Sequence, residues 1–188
     1  MCKTFLIALA LLLLATPAAG ADEALTAIDR AKADYQKKNY LGAVEALRAA
    51  LDAAWLKAPL TARNVQFVTD RPKGYGYYEP RTGDVFETIE PTLLYCEILG
   101  YTAKKEGDFY KFAISADFAV KDDKGQVLGG QKNFHNWESR SRSFNTELMM
   151  FFTFNFKGLP KGKYALMITL YDKNSSKTAV IEKAFAIK

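Results

Sequence analysis

The sequence predicts a mainly β protein, an antiparallel β-sandwich preceded by an α-helical hairpin. Three observations carry this. Apolar residues recur at helical spacing only across residues 23–56. From Pro59 onward the apolar period falls to two, the period of a strand with one buried face. Clusters of Asp, Asn, Gly, Pro and Ser then break the second region into short segments.

The N-terminus differs from both regions. Met1-Cys2-Lys3 brings one positive charge, residues 5–15 form an unbroken apolar run, and residues 16–21 are mostly small. This is the layout of a secretory signal peptide, and the run is shorter than the ~20 residues of a membrane-spanning helix. The expected organisation is a signal peptide over 1–21, a helical hairpin over 22–58 and a sandwich domain over 59–188. The mature chain is expected to start at Ala21 or Asp22 and to be periplasmic or secreted. Cys2 precedes the apolar run, so it does not mark a lipoprotein. No later segment is long and apolar enough to span a membrane.

Leu25, Ile28 and Tyr35 fall on one helical face. After Lys37-Lys38-Asn39 the pattern restarts with Leu41, Val44, Leu47, Leu51 and Trp55 in a second stripe. Ala43, Ala46, Ala50 and Ala54 lie beside it and permit close approach of another helix. Asn39 is the expected left-handed turn residue. The hairpin resembles a single tetratricopeptide unit, because Tyr40, Ala43, Leu47 and Ala50 match the second-helix pattern. The first helix departs from it, and no second copy follows. One such unit forms no solenoid, which implies packing on the adjoining domain or on a partner.

Strands are expected near residues 62–68 and 92–99. The clearest has Tyr110, Phe112, Ile114, Ala116, Phe118 and Val120 on one face, and Asp122-Asp123-Lys124-Gly125 turns the chain after it. A weaker strand covers 127–134. Phe144, Thr146, Leu148, Met150, Phe152, Phe154 and Phe156 alternate next, followed by Tyr164, Leu166, Ile168 and Leu170. A last strand runs from 179 to 187. About seven short strands with polar turns between them imply two packed antiparallel sheets. Leu159-Pro160-Lys161-Gly162-Lys163-Tyr164 places a Tyr at the start of the penultimate strand, after a crossover. In this it resembles the tyrosine corner of immunoglobulin-like and fibronectin-type domains, whose hydroxyl ties the crossover down.

Composition supports a packed core, with 49% hydrophobic and 13% aromatic residues in 188. The formal charge of +5 becomes +4 once Lys3 leaves, and its basic residues are dispersed among acidic ones. Nothing in that pattern marks a nucleic-acid surface. Loss of Cys2 leaves Cys96 without an internal partner. Cys96 shares a strand face with Leu94 and Ile98 and is expected to be a buried, inert thiol.

No catalytic, cofactor or metal motif stands out. His135 is the single histidine and reads as a solvated loop residue, without the neighbours of a triad or a zinc site. Asp122-Asp123-Lys124-Gly125 lacks the distal Glu of a calcium loop. Gly74-Tyr75-Gly76 lacks the helix and Lys of a phosphate loop. Two stretches suit binding instead. In Lys73-Gly74-Tyr75-Gly76-Tyr77-Tyr78-Glu79-Pro80-Arg81, three amphipathic rings break the strand period. They either plug an end of the sandwich or present a face. His135-Asn136-Trp137-Glu138-Ser139-Arg140-Ser141-Arg142 reads as a polar crossover loop. In it Trp137 is a candidate stacking platform, and Arg140 and Arg142 are candidate donors to an anion or sugar.

Tyr75-Gly76-Tyr77-Tyr78, Val85-Phe86 and Glu90-Pro91-Thr92-Leu93-Leu94-Tyr95-Cys96-Glu97-Ile98 resemble a block found in uncharacterised exported bacterial proteins. The likeness continues through Asp123-Lys124-Gly125, Arg140 to Phe144 and the crossover before Tyr164. It implies an exported β-sandwich and carries no catalytic residues. The leading expectation is a non-catalytic binding or interaction module of the cell envelope, without a cofactor. Its partner would be a protein or glycan. The alternatives are an assembly factor docking through the hairpin and a glycan hydrolase using carboxylates such as Glu79, Glu97 and Glu138.

Overall fold

Asp22 accepts a hydrogen bond from the Ala24 amide and so caps a helix, α1, over Glu23–Gln36. A second helix, α2, runs Tyr40–Lys57. The computed structural model describes residues 22–88 and 90–188, so the signal-peptide expectation for 1–21 lies outside the described residues. The left-handed turn residue is Lys38, at φ 60, and not Asn39 as expected. Asn39 caps α2 instead, its Oδ1 accepting from the Gly42 amide at 3.2 Å. An Asn cap contributes about 1 kcal/mol, so the turn shifts back one residue to supply it.

The described residues fall into two compact units, divided between Ala50 and Leu51 within α2. In the first, the residues removed from solvent are small: Ala31, Ala43, Ala46 and Ala50 are buried, while Val44 and Leu47 are exposed. The expected continuous stripe therefore ends before Trp55. That ring is buried in the second unit, edge-on to Tyr101 at 5.3 Å, and its Nε1 donates to the Tyr101 carbonyl.

The second unit is the sandwich. One sheet holds three strands in the order β1 (Thr61–Phe67), β3 (Thr92–Leu99) and β7 (Leu148–Phe154). The other runs β2 (Val85–Phe86), β9 (Thr178–Ile187), β8 (Gly162–Asp172), β5 (Phe109–Asp122) and β4 (Lys104–Glu106), with β6 (Val127–Ser141) also paired to β5. Because β6 follows β5 along nearly its whole length, β4 and β8 share the other edge of β5 in succession. The core lies between the sheets. Leu94, Cys96, Ile98, Met150 and Phe152 come from the first, and Ile114, Leu166, Ile168 and Phe185 from the second. The crossover tie is present, with the Tyr164 hydroxyl donating to the Pro160 carbonyl at 2.7 Å.

Three expectations need correction. The two short strands β2 and β4 were not legible, since two or three residues show no period. The stretch 135–142 is not a crossover loop, because β6 continues through Ser141 and pairs Trp137 with Ile114 and Arg140 with Lys111. A polar edge strand lacks the apolar alternation that announces a strand. A bulge at Asn133, φ 53, whose amide donates to Asp117, further breaks the period. Consequently His135 is half-buried, edge-on to Phe152 at 5.3 Å, and burial lowers its pKa. The Phe-rich alternation also overstated its strand, since residues 144–147 lie outside β7.

Candidate functional site

The pleat sets Tyr95 and Glu97 on the opposite face of β3 from Leu94, Cys96 and Ile98. All five are nonetheless buried, Tyr95 at 0% and Glu97 at 3% exposure. The cover is the segment between β1 and β2. Arg81 donates its amide to the Phe67 carbonyl, Thr69 to Glu79, and Lys73 to Tyr77. These bonds close residues 67–81 into a hairpin-like excursion with a tight Gly74–Tyr77 tip. It lies against the outer face of the three-stranded sheet. Tyr78 stacks on Tyr95 with centroids 4.1 Å apart, and Arg71 sits over Phe151 of β7.

Glu97 is the latch. Its Oε2 accepts from Arg63 Nε at 2.9 Å and from Asn64 Nδ2 at 2.9 Å, while its Oε1 accepts from the Tyr95 hydroxyl at 3.1 Å. Arg63 and Glu97 are direct cross-strand neighbours. Asn64 holds φ 50 at the irregularity in β1 and so brings its amide to the same carboxylate. The Tyr95 hydroxyl in turn accepts from the Gly76 amide at 2.8 Å, and Arg63 Nη2 donates to the Tyr75 hydroxyl at 2.6 Å. Gly76 needs its freedom of conformation here, since it holds φ 68 at the tip. Thus one buried carboxylate fastens the tip through two tyrosines. Burial pushes the Glu97 carboxyl up, but hydrogen bonds from Arg63, Tyr95 and Asn64 outweigh it and hold the group below the usual carboxylate range. Burial pushes the Tyr95 hydroxyl up to about 12, so it stays a donor.

The three predicted tyrosines divide. Tyr75 and Tyr78 are half-buried and tied down. Tyr77 is 57% exposed, with Lys73 Nζ 5.1 Å from its ring centre. Asp70, Arg71, Lys73, Tyr77, Tyr78 and Glu79 line a shallow cavity of about 180 Å³ there. Two cations, two carboxylates and an exposed ring can bind a polar partner by stacking and charged hydrogen bonds.

The other candidates stand elsewhere. Trp137 and Arg140 are on β6, in the other sheet, and Trp137 packs partly on the core. Arg140 Nη2 lies 3.7 Å from Glu106. Arg142 lies just past β6, over the Phe109 ring at 4.6 Å and 3.5 Å from Asp108. Their cationic groups therefore face carboxylates of the β4–β5 hairpin. Glu138 is exposed and held by Lys111 at 2.7 Å, a bond that lowers its pKa. Glu79, Glu97 and Glu138 thus sit in the excursion, on β3 and on β6. Sequence reasoning did not single out Arg63, Asn64 or Tyr95. The available signal was the pair Tyr95-x-Glu97, which puts polar atoms on the outer face of an otherwise apolar strand.

No family model and no curated protein matches this chain. Solved structures with some likeness include a Pseudomonas fluorescens alkylpurine DNA glycosylase, AlkC, bound to DNA containing an abasic site analogue. It is 10% identical at a TM-score of 0.37, over 80% of this chain, which spans 40% of the glycosylase. The CARDB domain of a Pyrococcus furiosus protein, in complex with di-metal ions, is 12% identical at a TM-score of 0.33, over 69% of this chain and 90% of its own. A conjugative transposon lipoprotein from Bacteroides eggerthii is 16% identical at a TM-score of 0.28, over 68% of this chain and 96% of its own. At these scores each is a loose likeness of architecture.

Proposed function

We propose that this protein is an exported, non-catalytic binding module of the cell envelope whose contact surface is the excursion of residues 67–81. The supporting observation is the latch. A loop fastened from beneath by a buried carboxylate presents one aromatic ring outward, and a pre-ordered ring loses little conformational entropy on binding. Tyr77 is the anchor, with Lys73, Arg71, Asp70 and Glu79 as its polar surround. The partner class is an envelope protein or glycan. The signal-like N-terminus supports export, with a mature chain of a hairpin through residue 58 and a sandwich from 59. The Tyr164 tie supports an immunoglobulin-like sandwich, and the block around Tyr75 and Glu97 supports kinship with exported β-sandwich proteins.

A hydrolase built on Glu97 is the weaker reading. Glu97 is 3% exposed beneath the excursion and its oxygens already accept three hydrogen bonds from within the fold, which ill suits a group that must meet a substrate. The deciding experiment compares Tyr77→Ala with Tyr78→Ala in thermal melts and in partner capture from envelope extract. Tyr77→Ala is expected to melt like the parent and lose the partner. Tyr78→Ala, which removes the ring stacked on Tyr95, is expected to lower stability by about 2–3 kcal/mol. A stable Tyr77→Ala variant that captures the same partners would refute this contact surface.

A further inference from the structure

Asp70, Arg71, Lys73 and Glu79 stand around the same cavity of about 180 Å³ as Tyr77 and Tyr78. Two of these four groups are negative and two positive, and all four residues are exposed. Among the described residues, no ion pair joins any of them to an opposite charge. Their other contacts are light. Asp70 accepts from the Thr69 hydroxyl at 3.3 Å, Arg71 sits over the Phe151 ring, and Lys73 over that of Tyr77. Opposite charges held apart around one cavity keep most of their hydrogen-bonding capacity for something outside the fold.

Given the contact surface proposed above, on which this rests, we infer that the cavity binds one uncharged sugar ring of an envelope glycan. Charge selects first. Groups whose charges cancel create no net field to draw in an anion or a charged peptide. Separated carboxylates and cations still offer strong acceptors and strong donors side by side. A hydroxyl both donates and accepts, so a ring of adjacent hydroxyls uses both kinds at once. The aromatic groups agree. The C–H face of a sugar ring is apolar and weakly positive, which suits the negative face of a tyrosine. Tyr77 is 57% exposed and offers such a ring, while Tyr78, stacked on Tyr95, holds the lining in place. Size agrees as well. At ~30 Å³ per water, 180 Å³ takes roughly six waters, which is room for one sugar ring and far less than a protein epitope occupies.

Titration of the purified protein with glucose, galactose, mannose and N-acetylglucosamine, followed through NMR shifts of its amides, tests this. Glucuronate and protonated glucosamine serve as charged counterparts. At least one neutral sugar should bind with a Kd on the order of 1–10 mM, the affinity of roughly twelve heavy atoms in a shallow site. That Kd should change less than about twofold between low and physiological salt, and neither charged counterpart should bind more tightly. Tyr77→Ala should weaken binding at least about tenfold, and Tyr77→Phe, which keeps the ring, by no more than about threefold. No saturation by any of the neutral sugars up to about 100 mM overturns the proposal. So does a neutral-sugar Kd that Tyr77→Ala leaves unmoved, or tighter, salt-sensitive binding of a charged counterpart. Capture of an envelope partner that Tyr77→Ala abolishes, but that periodate oxidation of the extract leaves intact, would keep the contact surface and overturn the sugar.

Discussion

Replacing Glu97 tests whether one carboxylate holds the excursion on its sheet. Glu97→Leu removes the acceptor of three donors, of which the Tyr95 hydroxyl is wholly buried. Breaking a buried charge pair costs about 3–5 kcal/mol when the remaining partner stays buried. Arg63 is 51% exposed and regains water, so the lower end applies, about 3 kcal/mol. For a domain of this size that lowers Tm by about 6–12 °C. Glu97→Gln keeps the shape and one carbonyl acceptor and should cost about 1 kcal/mol. The pH dependence gives a second arm. The folded pKa of Glu97 lies below its unfolded value of about 4.3. Its contribution is therefore full above that value and fades as pH falls through the folded pKa. The stability gap between the parent and Glu97→Gln should close in that acidic window. Denaturant melts measure both arms. Limited trypsin digestion reads the latch directly, because the Lys73–Gly74 bond lies at the tip of the excursion. Both variants should be nicked there faster than the parent. A Glu97→Leu protein within about 1 kcal/mol of the parent, with an unchanged cleavage pattern, would refute the latch.

Other outcomes follow from the same packing. Phe152 is buried between the sheets and meets Phe134 and Phe154, so Phe152→Ala should cost about 3–5 kcal/mol in denaturant melts. Burial pushes the Cys96 thiol up to about 12, so labelling should be slow in the native protein and fast in denaturant. Rapid native labelling would contradict its place in the core. His135 has a folded pKa depressed by burial, so stability should fall as pH drops below about 6.5 toward that value. His135→Gln should flatten this part of the pH profile, and a profile identical to the parent's would disprove the effect.

Periodicity makes some elements legible because it is a local property. Leu94, Cys96 and Ile98, and Leu166, Ile168 and Leu170, announce buried strand faces without knowledge of any partner. The crossover before Tyr164 is legible for the same reason, since Pro160 and the ring it receives are four residues apart. Of β6 only residues 127–134 are legible, because beyond them the half-buried positions His135, Trp137, Ser139 and Ser141 show no apolar period. On that account His135 and Trp137 read as loop residues in the sequence although β6 runs through both.

By itself, the sequence determined the class of fold, the turn between two helices, the buried thiol and the suspicion that residues 73–81 are unlike a strand. Only the tertiary structure decided which of three neighbouring tyrosines faces water. Tyr75, Tyr77 and Tyr78 are chemically equal in the chain. Two are held because β3 pairs with β1 in a register that sets Glu97 beside Arg63, and with them Tyr95 beneath the tip. That register joins residues more than thirty positions apart, and no local pattern encodes a distance across two strands.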